Sequence, residues 1–429
     1  MRSDRFALLV FLLSVPLAMA QHWDVEKVDS AGWGANVDMR WHPDGRLFLC
    51  YSDTSGVIRL ASKDSVWSYE DLPQWRTTWS GTQGFDIGRY GDIGVSYVGT
   101  GAKVWYALKT HAGWADIETP FSIQYSRPPT ALDTSGAPVI SLEYGGAFLL
   151  ARMRDTSWAS ETLATGSSRY NYFGSCGLGS LVDGTIWGVF EYYWVELSCD
   201  PYGVKYYSYQ AWDSGVSVVQ VLDAGMFSRT WCSSGCVDQH GVIHACCAFS
   251  AEWFPRGTYL DQTRIDSAAA RIISVRFDSL DRPQIAYITL DTTLMYRYLG
   301  SGVWHIFDLQ TTGVTALSLI IGENSQPLIA YRTSEGVFLL HGVDIVGQSE
   351  DRQRLTAYDS RLTASVIRNV LILPEAASLK PQAASLLDAS GRKALDLRPG
   401  ANDVSGLSPG VYFVREAQAQ AVRKVVITR

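Results

Sequence analysis

Arginine stands beside aromatic residues at recurring points of this chain. It does so in QWRTTW (74–79), QYSRPP (124–129), SSRYNYF (167–173) and FSRTW (227–231), and a further arginine sits in AAARI (268–272). Two longer stretches, EYYWVELSCDPYG (191–203) and AEWFPRG (251–257), add more aromatics. An aromatic face next to a guanidinium and a carboxylate suits stacking on a sugar ring or gripping an anionic group. The pattern marks Trp75, Arg76, Trp79, Tyr125, Arg127, Arg169, Tyr170, Tyr193, Trp194, Arg229, Trp231 and Trp253 as ligand-binding candidates. Against this stands the packing that Trp and Tyr routinely do. The stretch 191–203 is the strongest as a group, because extra loop length is not needed by a scaffold. Three acids, Asp53, Glu143 and Glu191, close extended segments, and with Arg127, Arg229 and Arg271 as clamps they form an alternative catalytic set for cleaving a glycosidic bond.

Other chemistries find less support. The seven histidines (His22, His42, His111, His240, His244, His305 and His341) show neither an HExxH nor a triad-like spacing. His240 and His244 straddle a turn and read as structural. A zinc site from Cys232, Cys236, Cys246 and Cys247 lacks the usual Cys-x2-Cys spacing, and neighbouring residues of a strand face opposite ways. No cofactor motif is found. A net charge of −7 argues against a nucleic-acid partner.

The elements that must position these residues begin after a leader. Arg2 and Arg5 precede the apolar run Phe6 to Leu17 and the small-residue site Ala18-Met19-Ala20, so residues 1–20 read as a secretory signal peptide. No later stretch has the roughly 18 apolar residues of a membrane-spanning helix. Fifteen Trp and twenty-two Tyr, with few helical-period runs, favour strands.

One hairpin then recurs seven times, anchored at Gly45, Gly91, Gly136, Gly184, Gly241, Asp281 and Ser325, with steps of 46, 45, 48, 57, 40 and 44 residues. Six residues past the anchor stands a mostly large, aromatic residue: Tyr51, Tyr97, Leu142, Phe190, Cys247, Tyr287 and Tyr331. Just before it stands a small one: Cys50, Ser96, Ser141, Val189, Cys246, Ala286 and Ala330. Large beside small along an extended segment means two faces meeting different neighbours. A strand precedes each anchor, a second alternating segment follows, and Trp67, Trp114, Trp158, Trp212 and Trp304 are expected to open an outer strand. Four strands per copy predict propeller blades.

The seventh copy lacks its Trp-led strand, but Trp23-Asp24-Val25-Glu26-Lys27-Val28 matches the missing piece. The expected fold is therefore all-β: a seven-bladed β-propeller over 21–346, closed by the N-terminal strand, a linker over 347–369, and a small β-sandwich over 370–429. The G-x-P-x-I-A-Y type of repeat resembles secreted bacterial β-propellers. The last sixty or so residues closely resemble the C-terminal sorting domain (type A, Por) of type IX secretion substrates, matching at Asp388, Gly391, Leu407, Gly410, Val411, Tyr412 and Arg423-Lys424-Val425-Val426. That resemblance implies a partner in the outer-membrane secretion machinery and a secreted or cell-surface location.

In an exported chain seven cysteines point to disulfides. Cys50 and Cys246 fill the small slot. Cys176 with Cys199 is one candidate bridge, and Cys232 with Cys247 or with Cys236 another. The three arginines with carboxylates resemble a sialidase site, yet Phe-Arg-Ile-Pro and S-x-D-x-G-x-x-W segments are missing, and seven copies exceed the six blades of that family. The reading favoured is a non-catalytic module whose rim binds glycan or a surface protein. A glycoside hydrolase or lyase and a structural adhesion component are the alternatives.

Overall fold

The structure, a computed structural model, describes residues 22–30, 36–53, 55–76, 83–123, 128–166, 172–195, 202–212, 215–226, 230–249, 256–343, 345, 365–367, 370–373, 384–388, 392–398, 400–416 and 422–427. Among these, secondary structure is β throughout except for single 3-10 turns at Thr100–Ala102 and Glu323–Ser325. The chain divides into two compact units after residue 346.

The first unit holds seven four-stranded antiparallel sheets. Blade one is Val37–Trp41, Leu47–Ser52, Val57–Lys63 and Trp67–Arg76, and blade two is Gln83–Ile87, Ile93–Val98, Lys103–Thr110 and Gly113–Ser122. Blade three is Thr130–Leu132, Pro138–Tyr144, Ala147–Arg154 and Ser157–Thr165, and blade four is Tyr172–Ser180, Ile186–Val195, Tyr202–Trp212 and Gly215–Met226. Blade five is Thr230–Val237, Ile243–Phe249, Gly257–Leu260 and Thr263–Asp266, and blade six is Ala270–Phe277, Pro283–Thr289, Leu294–Gly300 and Val303–Asp308. Blade seven takes Ala316–Ile321, Pro327–Thr333 and Gly336–Val343 from the end of the unit and His22–Asp29 from its beginning. Trp23 pairs with Gly342, Val25 with Leu340 and Lys27 with Phe338, so the expected closure is present. The first strands of all seven blades neighbour one another in an unbroken ring.

Each anchor is the left-handed residue of the turn between first and second strands. Its φ is +89° at Gly45 and Gly91, +86° at Gly136, +91° at Gly184 and +79° at Gly241. Glycine adopts this region without steric cost, and Asp281 (+55°) and Ser325 (+61°) adopt it where glycine is missing. The residue three before the anchor accepts the anchor's N–H, as in Gly45 to His42 at 2.9 Å and Asp281 to Asp278 at 3.0 Å. All seven small-slot residues are fully buried, between neighbouring sheets. The large residue beyond them does more than fill space. Tyr51 Oη donates to Asp29 of the preceding blade at 2.6 Å, and Tyr287 Oη donates likewise to Asp266. Burial and the carboxylate together push both phenol pKa values up.

Where the outer strand opens on a tryptophan, that residue packs the blade against the one before it. Trp67 Nε1 donates to Glu26 Oε1 at 2.9 Å and Trp114 Nε1 to Glu70 Oε1 at 2.8 Å; each Glu lies three residues beyond the Trp of its own blade. Lys63 and Lys109, cross-strand partners of those tryptophans, ion-pair with the same carboxylates. At two other junctions the same position is apolar. Trp158 packs with Ile117 in one core cluster, and Trp23 meets Phe307 edge-on at 6.3 Å. There the buried indole nitrogens of Trp158 and Trp23 have no hydrogen-bond partner among the described residues. The clamp is hydrophobic first, and the Lys–Glu pair is an addition to it.

Four expectations need correction. Trp212 ends the third strand of blade four, opposite Gly215, and does not open the fourth. The stretch 191–203 is mostly lengthened hairpin: ladder pairing runs on to Trp194–Gly203 and Val195–Tyr202, because alternating large residues extend a strand as readily as they fill a loop. Ser365–Ile367, inside the expected linker, is a strand parallel to Val422–Ile427. The disulfide reading also fails where it can be read. Cys50, Cys236 and Cys246 are buried free thiols and Cys247 is a buried thiol outside any disulfide. Cys232 pairs with Ala248 and Cys247 with Ser233, so the two cysteines are not cross-strand partners. Cys199 and the side chains of Cys176 and Cys232 lie outside the described residues, as does the leader 1–20.

The C-terminal unit has a five-stranded sheet, Ser365–Ile367, Val422–Ile427, Gly410–Glu416, Ala384–Asp388 and Lys393–Leu397 in spatial order, and a two-stranded one, Val370–Leu373 with Gly400–Asp403. Leu386, Leu397, Val404 and Val414 form its core. Asp388 and Arg392 close the turn of the DASGR segment, with Arg392 N donating to Asp388 Oδ1 at 3.0 Å.

His244 is structural, as its turn suggested. Its Nδ1 lies 2.8 Å from Asp261 Oδ2, its Nε2 3.4 Å from Asp238 Oδ2, and its ring stacks on Phe277 at 4.4 Å. Burial lowers its pKa, but the two carboxylates outweigh burial and raise it above the ordinary histidine value. A raised folded-state pKa gives stability that is full at low pH and lost as pH rises through the folded value. Thermal melts between pH 5 and 8 should therefore show His244→Asn losing more stability, relative to the parent chain, at the acid end; a pH-independent difference would contradict the clamp. A second expectation concerns closure. Glu26→Ala should cost about 1 kcal/mol by denaturant titration, whereas Val25→Ala, on the exposed face of the same strand, should fall within about 0.5 kcal/mol of the parent.

Candidate functional site

Five of the sequence-predicted ligand residues lie in described strands. Trp75 and Arg76 end the fourth strand of blade one, Trp231 begins blade five, and Tyr193 and Trp194 lie in the blade-four hairpin. Their side chains lie outside the described residues, as do Trp79, Tyr125, Arg127, Arg169, Tyr170, Arg229 and Trp253 altogether. Arg271 is exposed on the first strand of blade six.

The alternative catalytic acids do not form one set. Asp53 follows the second strand of blade one and serves its turn: Oδ1 accepts the N–H of Ser55 (2.8 Å) and Val57 (2.9 Å) and the Ser55 hydroxyl (2.7 Å). Glu143 of blade three accepts the N–H of Phe173 in blade four at 3.2 Å, and burial pushes its carboxyl pKa up against that hydrogen bond. Glu191 pairs across the ladder with Gly174, the next residue of that strand, and lies inside its own strand, not at its end. Glu143 and Glu191 therefore come to adjacent residues of one inner strand, while Asp53 stands two blades away. The aromatics around them pack: Phe148 stacks on Phe190 at 4.5 Å, Phe190 on Tyr207 at 5.2 Å, and Phe173 lies 5.0 Å from Tyr192.

A cleft of about 650 Å³ opens on the other rim, between blades one and two. Its floor is Phe48, Leu60 and Ile93, all buried. Three turns frame it. His42 and Arg46 flank the first turn of blade one, Tyr90, Gly91 and Asp92 form the first turn of blade two, and Lys109, Thr110 and His111 lead into that blade's last turn. Ser62 and Ser68 line the blade-one side. The turns are brought together by a direct bridge, His42 Nε2 to the Gly91 carbonyl at 3.2 Å. A side chain at position 91 would strike the His42 ring, 2.7 Å from a Cβ placed there. Glycine at this position therefore serves both the +89° φ and the approach of the imidazole.

The charges divide into committed and uncommitted groups. Arg46 is held by Asp44 at 2.7 Å and lies over the Phe48 ring at 5.2 Å, and that arginine in turn holds the Asp44 carboxyl well below the usual range. Burial works against the Glu70 carboxylate, but Lys109 and Trp114 outweigh it and keep its pKa low, so Glu70 is an ionised partner already in use. Among the described residues, the side chains of Asp92, His111, Ser62 and Ser68 accept and donate no hydrogen bond to protein. Tyr90 is 66% exposed. An apolar floor ringed by uncommitted hydroxyls, a carboxylate and an imidazole can hold a ligand with one apolar face and several hydroxyls. Of the two carboxylates that line the cleft, Glu70 is ion-paired to Lys109 and Asp92 is uncommitted.

Sequence reasoning missed this cleft. Its only signals were the exposed Tyr90 in a turn that needs no aromatic, and histidines at 42 and 111 that the repeat does not call for.

No protein-family model and no curated protein matches the chain. Solved structures do match its fold. One is a polysaccharide lyase, a PL25 ulvan lyase bound to -[GlcA(1-4)Rha3S]-, with TM-score 0.51 and 12% identity, covering 75% of this chain and 96% of that one. Others are the SapL1 lectin in complex with alpha methyl fucoside, with TM-score 0.39 and 12% identity over 72% and 91% of the two chains, and the BP39L lectin from Burkholderia pseudomallei, with TM-score 0.42 and 10% identity over 73% and 98%.

Proposed function

We propose that the propeller is a carbohydrate-recognition module that binds its ligand without turning it over. The observation that carries this reading is the cleft between blades one and two, where an apolar floor lies under Asp92, His111, Ser62 and Ser68, none of them committed to other described residues. Its volume suits one or two sugar rings. Sharing a fold with an ulvan lyase is compatible with a sugar ligand. The enzymatic alternative keeps one observation of its own: Glu143, partly buried with a raised pKa, has the proton-holding character a general acid needs. Its bond to Phe173 gives it an architectural task as well.

We further propose that the chain is exported, with residues 370–429 acting as the sorting signal they resemble. Among the described residues no helix is long and apolar enough to cross a membrane. Expressed in a host with type IX machinery, the full chain should reach the medium or the cell surface, and removal of 370–429 should retain it in the periplasm. Equal export of both would overturn this part.

The binding reading is tested on a glycan array, followed by calorimetry on the glycan identified. Asp92→Ala should weaken binding about tenfold or more, the loss expected when a charged hydrogen-bond acceptor is removed. Binding unaffected by Asp92→Ala but lost in Trp231→Ala would move the site to the opposite rim. Cleavage of polysaccharide that disappears in Glu143→Gln would replace the binding reading with the enzymatic one.

A further inference from the structure

Among the described residues of the first-turn rim, two large aromatic side chains stand open to solvent: Trp41 at 42% exposure and Tyr90 at 66%. Both depart from the repeat. Four residues before the other anchors stand Ile87, Leu132, Ser180, Val237, Phe277 and Ile321, none of them exposed, and one residue before the anchor a tyrosine occurs in blade two alone. A tryptophan left this open gives up much of the apolar gain that burial would bring, so packing by itself does not account for it.

Each ring is nevertheless held in place. Trp41 Nε1 donates to the Ile321 carbonyl of blade seven at 3.1 Å, which fixes the indole against that blade while much of its surface stays in water. Tyr90 is braced by Arg89, whose guanidinium lies over the ring at 4.6 Å and donates to Tyr90 Oη. An aromatic ring already fixed loses little freedom when a ligand stacks on it. The two rings are also joined through the cleft wall. Each is the residue just before one partner of the bridge from His42 Nε2 to the Gly91 carbonyl at 3.2 Å, so Trp41 and Tyr90 flank a single joint, one on the blade-seven side of blade one and the other on the blade-two side.

We infer that the cleft is one subsite of a longer site, and that its ligand is a polysaccharide chain bound along its length, with sugar rings in the cleft beside Tyr90 and further rings of the same chain stacked on Trp41 toward blade seven. The apolar C–H face of a sugar suits an open aromatic ring. Successive linked sugars meet two such platforms, whereas a single terminal sugar would use one. Once the cleft is filled, contact with Trp41 is intramolecular, so it adds affinity without a second cost of association. This extension rests on the reading of the cleft as a sugar site and adds to it the length of the ligand.

The test is calorimetric titration of the full chain with size series from monosaccharide to hexasaccharide of four polymers: β-1,4-glucan, β-1,4-xylan, β-1,3-glucan and alginate. For the polymer that binds, affinity should rise about tenfold from disaccharide to hexasaccharide. Trp41→Ala should abolish that rise and leave disaccharide affinity within about twofold of the parent, while Tyr90→Ala should weaken both lengths. Val182→Ala, 94% exposed on the same rim, should change neither. If Trp41→Ala fails to fold, Trp41→Phe takes its place: it keeps a smaller ring without the bond to Ile321 and should reduce the rise with the disaccharide unchanged. Equal affinity at both lengths, or a rise that survives replacement of Trp41, would overturn the extension and leave the cleft as a site for a short sugar. Binding to none of the four at any length would overturn the cleft reading and the extension together.

Discussion

A radial sheet has two edges, and the outer edge of blade seven would be a row of unpaired N–H and C=O groups if the chain had only its own last segment to offer. The strand His22–Asp29 covers that row. The same strand then serves the neighbouring blade. Glu26 holds Lys63 and Trp67, and Asp29 holds Tyr51 and Arg59, all in blade one. One short element thus completes the last sheet and supplies the acceptors for the first. Bringing its two sides together closes a loop of about three hundred residues, whose entropic cost grows only logarithmically with length.

Within the ring, each blade is joined to the next by a small set of repeating contacts. At the centre, Ser234 and Ser274 accept the N–H groups of Val275 and Leu319 on the following inner strands. Midway, Tyr51 and Tyr287 reach the preceding blade's Asp. At the periphery stand the tryptophans, whose partners are Glu where a Lys lies opposite and Ile or Phe where it does not. That substitution as a set explains why Trp23 and Trp158 tolerate unpartnered indole nitrogens: the ring buries the same apolar surface in either case, and one neutral N–H is the lesser term. Because these contacts fix the scaffold, the turn residues Tyr90, Asp92 and His111 can vary without loss of closure, which is where a recognition surface belongs.

Much of this architecture was legible in the amino acids. A residue required in the left-handed region announces itself as glycine at five anchors, and a period-two alternation of small and large residues announces a strand packed on both faces. The match of Trp23-Asp24-Val25-Glu26 to Trp67-Ser68-Tyr69-Glu70, together with a seventh copy that lacks its Trp-led strand, revealed the closing strand. What was illegible depended on neighbours in space. The aromatics of 191–203 fit a binding loop and a lengthened hairpin equally well until Val195 is seen opposite Tyr202. Cys232 and Cys247 look like bridge partners until the register pairs them with Ala248 and Ser233 instead. The cleft escaped because it is assembled from turns of two blades, each unremarkable alone.

The account stands on the pairing of His22–Asp29 with Gly336–Val343, and native-state hydrogen exchange reads that pairing directly. The hydrogen-bonded amides within residues 23–28 should exchange as slowly as those of the matching outer strand Trp67–Arg76, and should lose protection only together with Gly336–Val343 in the global unfolding step. Exchange of the N-terminal amides at the rate of an unstructured peptide, while Gly336–Val343 stays protected, would contradict the closed ring and every site placed upon it.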